Sequence, residues 1–526
     1  MASRSASAPP EAAELSPDSS ARLTPDSDSD GEDLEMSELG ESYKMQNIDA
    51  EKEWDEEEEG RGRRASMETM QSYQLYTPDE ERAVVRKFDR KLVLFVALLY
   101  MLSFLDRSNI GNAKIAGLDL DLKLDSRRYE WVITAFYIAY ISFEWMSILW
   151  KIIPAHIYIT GIVLSWGIVA SLQSIATSFA GLLVLRVLLG IGEAGFTGIP
   201  FYLSFFFKRE ELALRTGFFI SAAPLATSFA STLAWAIVAL AKHSPIASWR
   251  LLFLIEGFPS VLVAVVAWHI IPDSPSTAPY LTKREKRVAR LRLRKSRPLK
   301  KEGKGLNFRE LLSTILDPKT YLTAAMFFLT NLAFSSLPVF LPTIIHEMGH
   351  SVSISQALSA PPYLVSFVCV LITAYLSDKH ASRSPFIIFH ALLSAAGYAL
   401  ICIAGLHHSS PWVRYAGVYP AAIGFFSVVT IVITWTINNQ EGESRQGAGF
   451  AVLQVIGQCG PLVGTRLYPE EEAPLYIRGM AVCAGAMVCV AVLALGLRFY
   501  LARKNRRVAY GKIGHERERE GFTYML

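Results

Sequence analysis

Between Leu92 and Leu501 the chain is a succession of long apolar blocks parted by short polar or charged stretches. An α-helix rises about 1.5 Å per residue, so a block of about twenty residues crosses a hydrocarbon core of roughly 30 Å. In lipid each backbone N–H and C=O must be paired within its own segment or in a closed barrel, and these blocks are too long and continuous for barrel strands. The pattern predicts helices at 92–110, 131–150, 157–175, 179–207, 216–240 and 251–271, then at 321–346, 355–376, 386–406, 413–437, 448–467 and 478–501. That is twelve spans in two sets of six, an all-α polytopic membrane protein.

Composition agrees: 51% hydrophobic residues, 19% charged and a mean hydropathy of +0.27. The stretch "LTKREKRVARLRLRKSRPLKKEGKG" and the flank "ARKNRRVAYGK" are strongly basic, which places both, and both chain ends, in the cytoplasm. The opposite loops, such as "LHHSSPWVR" and "YPEEEAPLY", are poorer in basic charge; the first of them, with Lys114, Lys123, Arg127 and Arg128, runs against the trend. The net charge of +3 carries no signal for nucleic acid, because an acidic tail offsets the basic loops. Basic side chains of the central loop could also touch anionic lipid. Five cysteines fall within expected spans and read as small core residues.

Residues 1–76 lack apolar periodicity and are rich in Ser, Pro, Asp and Glu, the composition of a disordered tail. Ser66 follows an Arg pair, and Ser27 and Ser29 sit among acids, so these are candidate phosphorylation sites; an unmodified solubilising tail is the alternative. Order is expected from Thr77, a good N-cap followed by Pro78 and three acids. The expected organisation is therefore a tail at 1–76, a six-helix bundle at 77–271, a basic linker at 272–320, a second bundle at 321–501 and a cytoplasmic tail at 502–526.

Two soluble-enzyme motifs fail on context. "GIGEAG", Gly190 to Gly195, fits a dinucleotide fingerprint but lacks the strand-turn-helix setting, since apolar sequence runs on to Phe207. "HEMGH", His346 to His350, fits a zinc protease pattern but falls at a predicted span end with no third ligand in view. Neither an enzyme nor a cofactor or metal is indicated.

Charges inside the spans carry the chemistry. Arg186 and Glu193 lie seven residues apart, on one face of the fourth span. Gly190, Gly192, Ala194 and Gly195 beside them allow a neighbouring helix to approach closely. Asp106 and Arg107 are adjacent in the first span and point about 100° apart. A charge at the centre of a span costs roughly 2.5–3.5 kcal/mol on insertion scales, so such residues need partners. Two readings stand: a static network that holds the helices, or acids that exchange a proton while an arginine binds an anion, each event lowering the electrostatic cost of the other.

At these residues the chain resembles the fungal anion:cation symporters of the major facilitator superfamily, a group that includes allantoate, nicotinate and pantothenate permeases. The likeness rests on "LDRSNIGNAKIAGL", "LRVLLGIGEAGFTGIPFYLSFFF", "WRLLFLIEGFPSVLVAVVAWHIIPDSPSTAPYLT" and "NNQEGESRQGAGFAVLQVIGQCGPLVGTRLYP"; the last is most similar to the nicotinate permease branch. It implies the major facilitator fold, two six-helix bundles that rock about a central cavity, and proton symport of a small organic anion at the plasma membrane by a monomer. By likeness to bacterial sugar-acid symporters, proton coupling falls on Asp106 and Glu193, and anion binding on Arg107 and Arg186. Tyr140 matches a substrate-contacting tyrosine, or packs helices. The superfamily's gating loop between spans two and three reads "SILWKIIPAH" and keeps little beyond Lys151. Its second-half counterpart "YLSDKHASR" keeps Asp378, Lys379 and Arg383. The family's Glu-Val-Pro reads Glu144-Trp145-Met146, and the fifth span lacks the signature of drug:proton antiporters. Asn331, Trp435, Asn438 and Asn439 could face the cavity or pack helices. Transport of a secondary metabolite encoded in a biosynthetic cluster, and a nutrient sensor that does not transport, are the alternative functions.

Overall fold

The computed structural model describes residues 76–241, 245–296, 308–335, 337, 341, 345, 352–467, 472, 475–509 and 522–526. Ser27, Ser29, Ser66 and the motif His346 to His350 lie outside the described residues.

The first helix, α1 (Pro78–Phe88), starts where its chemistry dictates. Glu80 N–H donates to Thr77 Oγ1 at 3.2 Å and Thr77 N–H to Glu80 Oε2 at 2.9 Å, a reciprocal cap on two otherwise orphaned donors. A π-helical turn, Asp89–Val93, carries the chain into α2 (Leu94–Ala113). There follow α3 (Ser126–Phe143), continued by a 3₁₀ segment to Lys151, then α4 (Ala155–Leu172), α5 (Phe179–Ala194), α6 (Leu212–Ala241) and α7 (Ser248–Ile270). Two helices connect the halves, α8 (Lys283–Ser296) and α9 (Phe308–Ile315). The second half holds α10 (Pro318–Phe334), α11 (Val352–Lys379), α12 (Ser384–Leu406), α13 (Pro411–Asn438), α14 (Glu443–Gly457) and α15 (Ile477–Ala509).

Among the described residues ten helices are long and apolar enough to cross a membrane; with α2 and α10 they occupy the twelve expected positions. Outward side chains are strongly apolar, with Val265, Phe389 and Val492 each more than 60% exposed, as a lipid-facing surface requires. Some bounds differ from expectation. The fourth span breaks after Ala194 into a 3₁₀ turn, Gly195–Gly198, and a short helix, Ile199–Leu203. The last helix runs eight residues past 501, to Ala509.

Within the first half α2 packs on α6 and α7, α3 on α5, and α4 on α5 and α7. In the second, α10 meets α13, α14 and α15, while α12 lies between α13 and α15. The halves meet where α6 crosses α11 and α13, and where the segment Glu144–Lys151 meets α14.

Candidate functional site

Helix periodicity aims the charges inward. The buried positions of α2 include Val96, Leu99, Ser103, Asp106, Ile110 and Ala113, alternating three and four apart, so Asp106 lies on the stripe facing the helix's neighbours. On α5 the stripe is Leu182, Arg186, Leu189 and Glu193. The glycines act as expected: a Cβ at Gly190 would meet the Phe136 carbonyl oxygen at 2.5 Å and Tyr140 N at 3.1 Å, so only glycine lets α3 and α5 approach this closely.

Asp106 and Arg107 diverge onto different helices. Asp106 Oδ2 accepts from Ser260 Oγ of α7 at 2.9 Å. The Arg107 guanidinium instead reaches α5, donating from Nε at 3.1 Å and Nη2 at 2.8 Å to Glu193 Oε2. It also lies 4.4 Å from the Tyr140 ring centroid and 5.2 Å from that of Phe136, held by cation–π attraction. Tyr140 is thus buried against Arg107 and positions that side chain.

Arg186 is 2% exposed, and its Nε and Nη2 have no hydrogen-bond partner among the described residues. Asp106 Oδ1 and Glu193 Oε1 are buried and unpartnered in the same way. A buried donor or acceptor left unmade costs about 1–3 kcal/mol, more when charged. The network is therefore held short of saturation, with one guanidinium and two carboxylate oxygens open.

Two further acids belong here. Glu144 is fully buried at the end of α3, with Oε2 accepting from Thr197 Oγ1 at 2.6 Å and Oε1 unpartnered. Glu256 is buried on α7, one turn before Ser260, and its Oε1 is also unpartnered. Each is an acid in an apolar block, the signal that singled out Glu193.

The other polar cluster lies where the halves meet, at the end of the molecule rich in Lys and Arg, here the basic end. Asp378, at the end of α11, accepts from the backbone N–H of Ala213 at 3.1 Å and Leu214 at 2.7 Å, which are free donors in the first turn of α6. Arg383 Nη2 donates to Asp378 at 2.7 Å and to the Arg209 carbonyl at 3.0 Å. Lys379 is exposed and stands outside these contacts. From the first half Lys151 Nζ donates to Ser444 Oγ of α14 at 2.6 Å, so the vestigial loop still reaches across. Asn331 packs α10 on α14, donating to the Gly457 carbonyl at 3.2 Å. Trp435, Asn438 and Asn439 are occupied at the basic end by residues 522–526, within the segment expected to be tail.

The basic linker helix α8 also finds protein partners. Arg284 pairs with Glu80, and Arg292 with Glu81 and Glu211, binding α1 against α8.

Comparison with known proteins agrees with this architecture. An "MFS transporter prlL" from a fungal species is 32% identical over 446 residues, covering 81% of this chain and 88% of that one. A major facilitator-type transporter, hxnP, of Emericella nidulans is 30% identical over 437 residues, covering 82% and 87%. An uncharacterized transporter of Schizosaccharomyces pombe is 30% identical over 459 residues, covering 85% and 94%. Among solved structures, the proton:xylose symporter XylE superposes with a TM-score of 0.62 over 78% of this chain and 96% of that chain, at 13% identity, a likeness of fold. The profile of the Major Facilitator Superfamily matches residues 96–465, and the chain belongs to that superfamily of membrane transporters.

Proposed function

We propose that this transporter moves a small organic anion, such as a nicotinate-like monocarboxylate, together with protons, inward across the plasma membrane, with its basic end in the cytoplasm. The observation that carries the reading is Arg186, a buried guanidinium whose Nε and Nη2 are unpartnered. A carboxylate offers two oxygens to such a fork and forms charge-assisted bonds with it. Arg107 shares the site but is held by Glu193, so it sets the local charge while Arg186 takes the ligand.

Asp106, Arg107, Arg186 and Glu193 are formally neutral together. An anion on Arg186 adds one negative charge, which a proton on Asp106 or Glu193 removes. Binding of either therefore favours the other, the coupling that symport requires. A proton on Glu193 also weakens its hold on Arg107, which gives the occupied site a different set of ion pairs from the empty one.

Proteoliposomes holding the protein take up the anion faster under an inward acid gradient. Glu193→Gln keeps anion exchange and loses gradient-driven accumulation. A variant that concentrates the anion as well as the parent protein overturns the coupling role.

A further inference from the structure

We propose that residues Phe522–Leu526, "FTYML", are an intramolecular ligand of the basic end, bound across the two halves as a strap that keeps this end closed. The inference rests on the transport activity of the superfamily and not on the identity of the cargo.

The segment is bound as a peptide is bound by a receptor. Asn439 grips one residue from both sides: its Nδ2 donates to the Met525 carbonyl at 3.0 Å, and its Oδ1 accepts from Met525 N–H at 2.8 Å. Asn505 repeats the device on Tyr524, donating at 2.8 Å and accepting at 2.9 Å. Trp435 Nε1 adds a bond to the Met525 carbonyl at 2.7 Å. The Leu526 oxygen accepts from Arg383 N–H at 2.6 Å and Ser382 Oγ at 3.0 Å, at the start of α12, where first-turn donors lack partners. Tyr524 and Met525 are 8% and 9% exposed, so both side chains are seated in the protein. Lys319 and Lys504 flank the Tyr524 ring, their Nζ atoms 4.9 Å and 5.6 Å from its centroid.

Most of this cradle belongs to the second half; Arg209 brings in the first. Its Nη2 donates to the Thr523 carbonyl at 3.1 Å, and its guanidinium lies 4.5 Å from the Phe522 ring centroid. The same residue links the halves directly, donating to the Asn438 carbonyl while its own carbonyl accepts from Asn438 Nδ2 and Arg383 Nη2. The strap is thus fastened to the side chain that joins the halves. When this end opens, Arg209 leaves with the first half and its bonds to Thr523 and Phe522 break. The strap therefore opposes opening through its link to Arg209, while its bonds to Asn439, Asn505 and Trp435 hold it on the second half.

Thr436 on α13 reports on this event. It is 2% exposed and lines a small cavity with Lys319, Trp435 and Asn439, each of which contacts the strap. Full-length Thr436→Cys protein and the same protein lacking 522–526 are labelled in detergent with a polar maleimide, each corrected for its Thr436 parent. Deletion is expected to raise the labelling rate about tenfold, and the free peptide Phe-Thr-Tyr-Met-Leu to restore slow labelling, as for a local closing equilibrium. An unchanged rate overturns the proposal, as does a rise that the peptide does not reverse, which marks unfolding. Should the deletion aggregate, Asn505→Ala keeps the whole chain and loosens only one grip. It is expected to raise the rate in the same direction by a smaller factor, and no change there overturns the proposal equally.

Discussion

The two polar networks of this transporter are built from the same residue types and finished differently. At the basic end Asp378 receives three donors, and Arg383 uses both terminal nitrogens on Ser377, Asp378 and the Arg209 carbonyl. Inside the first half, among the described residues, Arg186 leaves Nε and Nη2 unpartnered, and Asp106, Glu144, Glu193 and Glu256 each keep one oxygen unpartnered. The basic end keeps open atoms too, Arg383 Nε and Arg209 Nε among the described residues, but its charged groups are already bonded from one half to the other, whereas Arg186 Nε and Nη2 both stay open to a ligand. Under the proposed function the first acts as a latch and the second as a binding site, although both consist of carboxylates and guanidinium groups.

The strongest way to break this contrast is to remove one arginine at a time from the interior. Arg107→Ala strips Glu193 of both its guanidinium bonds, and breaking a buried pair from one side costs about 3–5 kcal/mol. Arg186→Ala removes a charge that lacks such bonds, so unfolding in detergent is expected to shift by no more than about 1 kcal/mol, while anion affinity falls about 100-fold. Equal destabilisation by the two substitutions would mean that Arg186 is a structural partner after all, and the site reading would fail.

A smaller effect is expected at the latch. Asp378→Asn keeps the size of the side chain but replaces charge-assisted bonds to Ala213, Leu214 and Arg383 with neutral ones, at a cost of about 1.5–3 kcal/mol in thermal unfolding. Because these bonds exist only while the basic end is closed, the same substitution favours the open form, and Thr436→Cys labels faster. Lost stability with unchanged labelling would show Asp378 to be a local brace instead of a latch.

Much of this was legible in the sequence because lipid imposes its demands locally. Span positions follow from block length, and the cap at Thr77 and the inward stripe holding Asp106 follow from spacing along one helix. Pairing between helices does not. Spacing within α5 suggests Arg186 and Glu193 as neighbours, yet Glu193 is taken by Arg107 from α2, a choice made by the packing of two helices. Glu144 and Glu256 carry the same readable signal as Asp106 and Glu193, an acid in an apolar block. The strap was hidden for another reason: five residues without periodicity look like tail until the cradle of Asn439, Asn505 and Arg209 is assembled in space.

The mildest test concerns a third network, which ties α1 to α8 and the turn before α6 around the buried Arg292 guanidinium. The Glu80 carboxyl is held below its ordinary value by its bond to Arg284 and by Thr77 N–H. For Glu81 burial acts in the opposite direction, but Lys208 and then Arg292 outweigh it, and its carboxyl too lies below the ordinary value of 4.5. A depressed acid stabilises the fold above its unfolded value and loses that contribution as pH falls through the lowered, folded value. Amide exchange protection of Pro78–Phe88 is therefore expected to stay level from neutrality down to the ordinary glutamate range and to fall only below it. Thr77→Ala lowers the whole curve by about 1 kcal/mol, or about fivefold in protection, through loss of the cap alone. Loss of protection already between neutrality and the glutamate range would mean that histidine, not these carboxylates, governs the clamp. A shallow and purely acidic response here would set this carboxylate clamp apart from the bonds that join the halves at the basic end and from the open guanidinium of Arg186 in the interior.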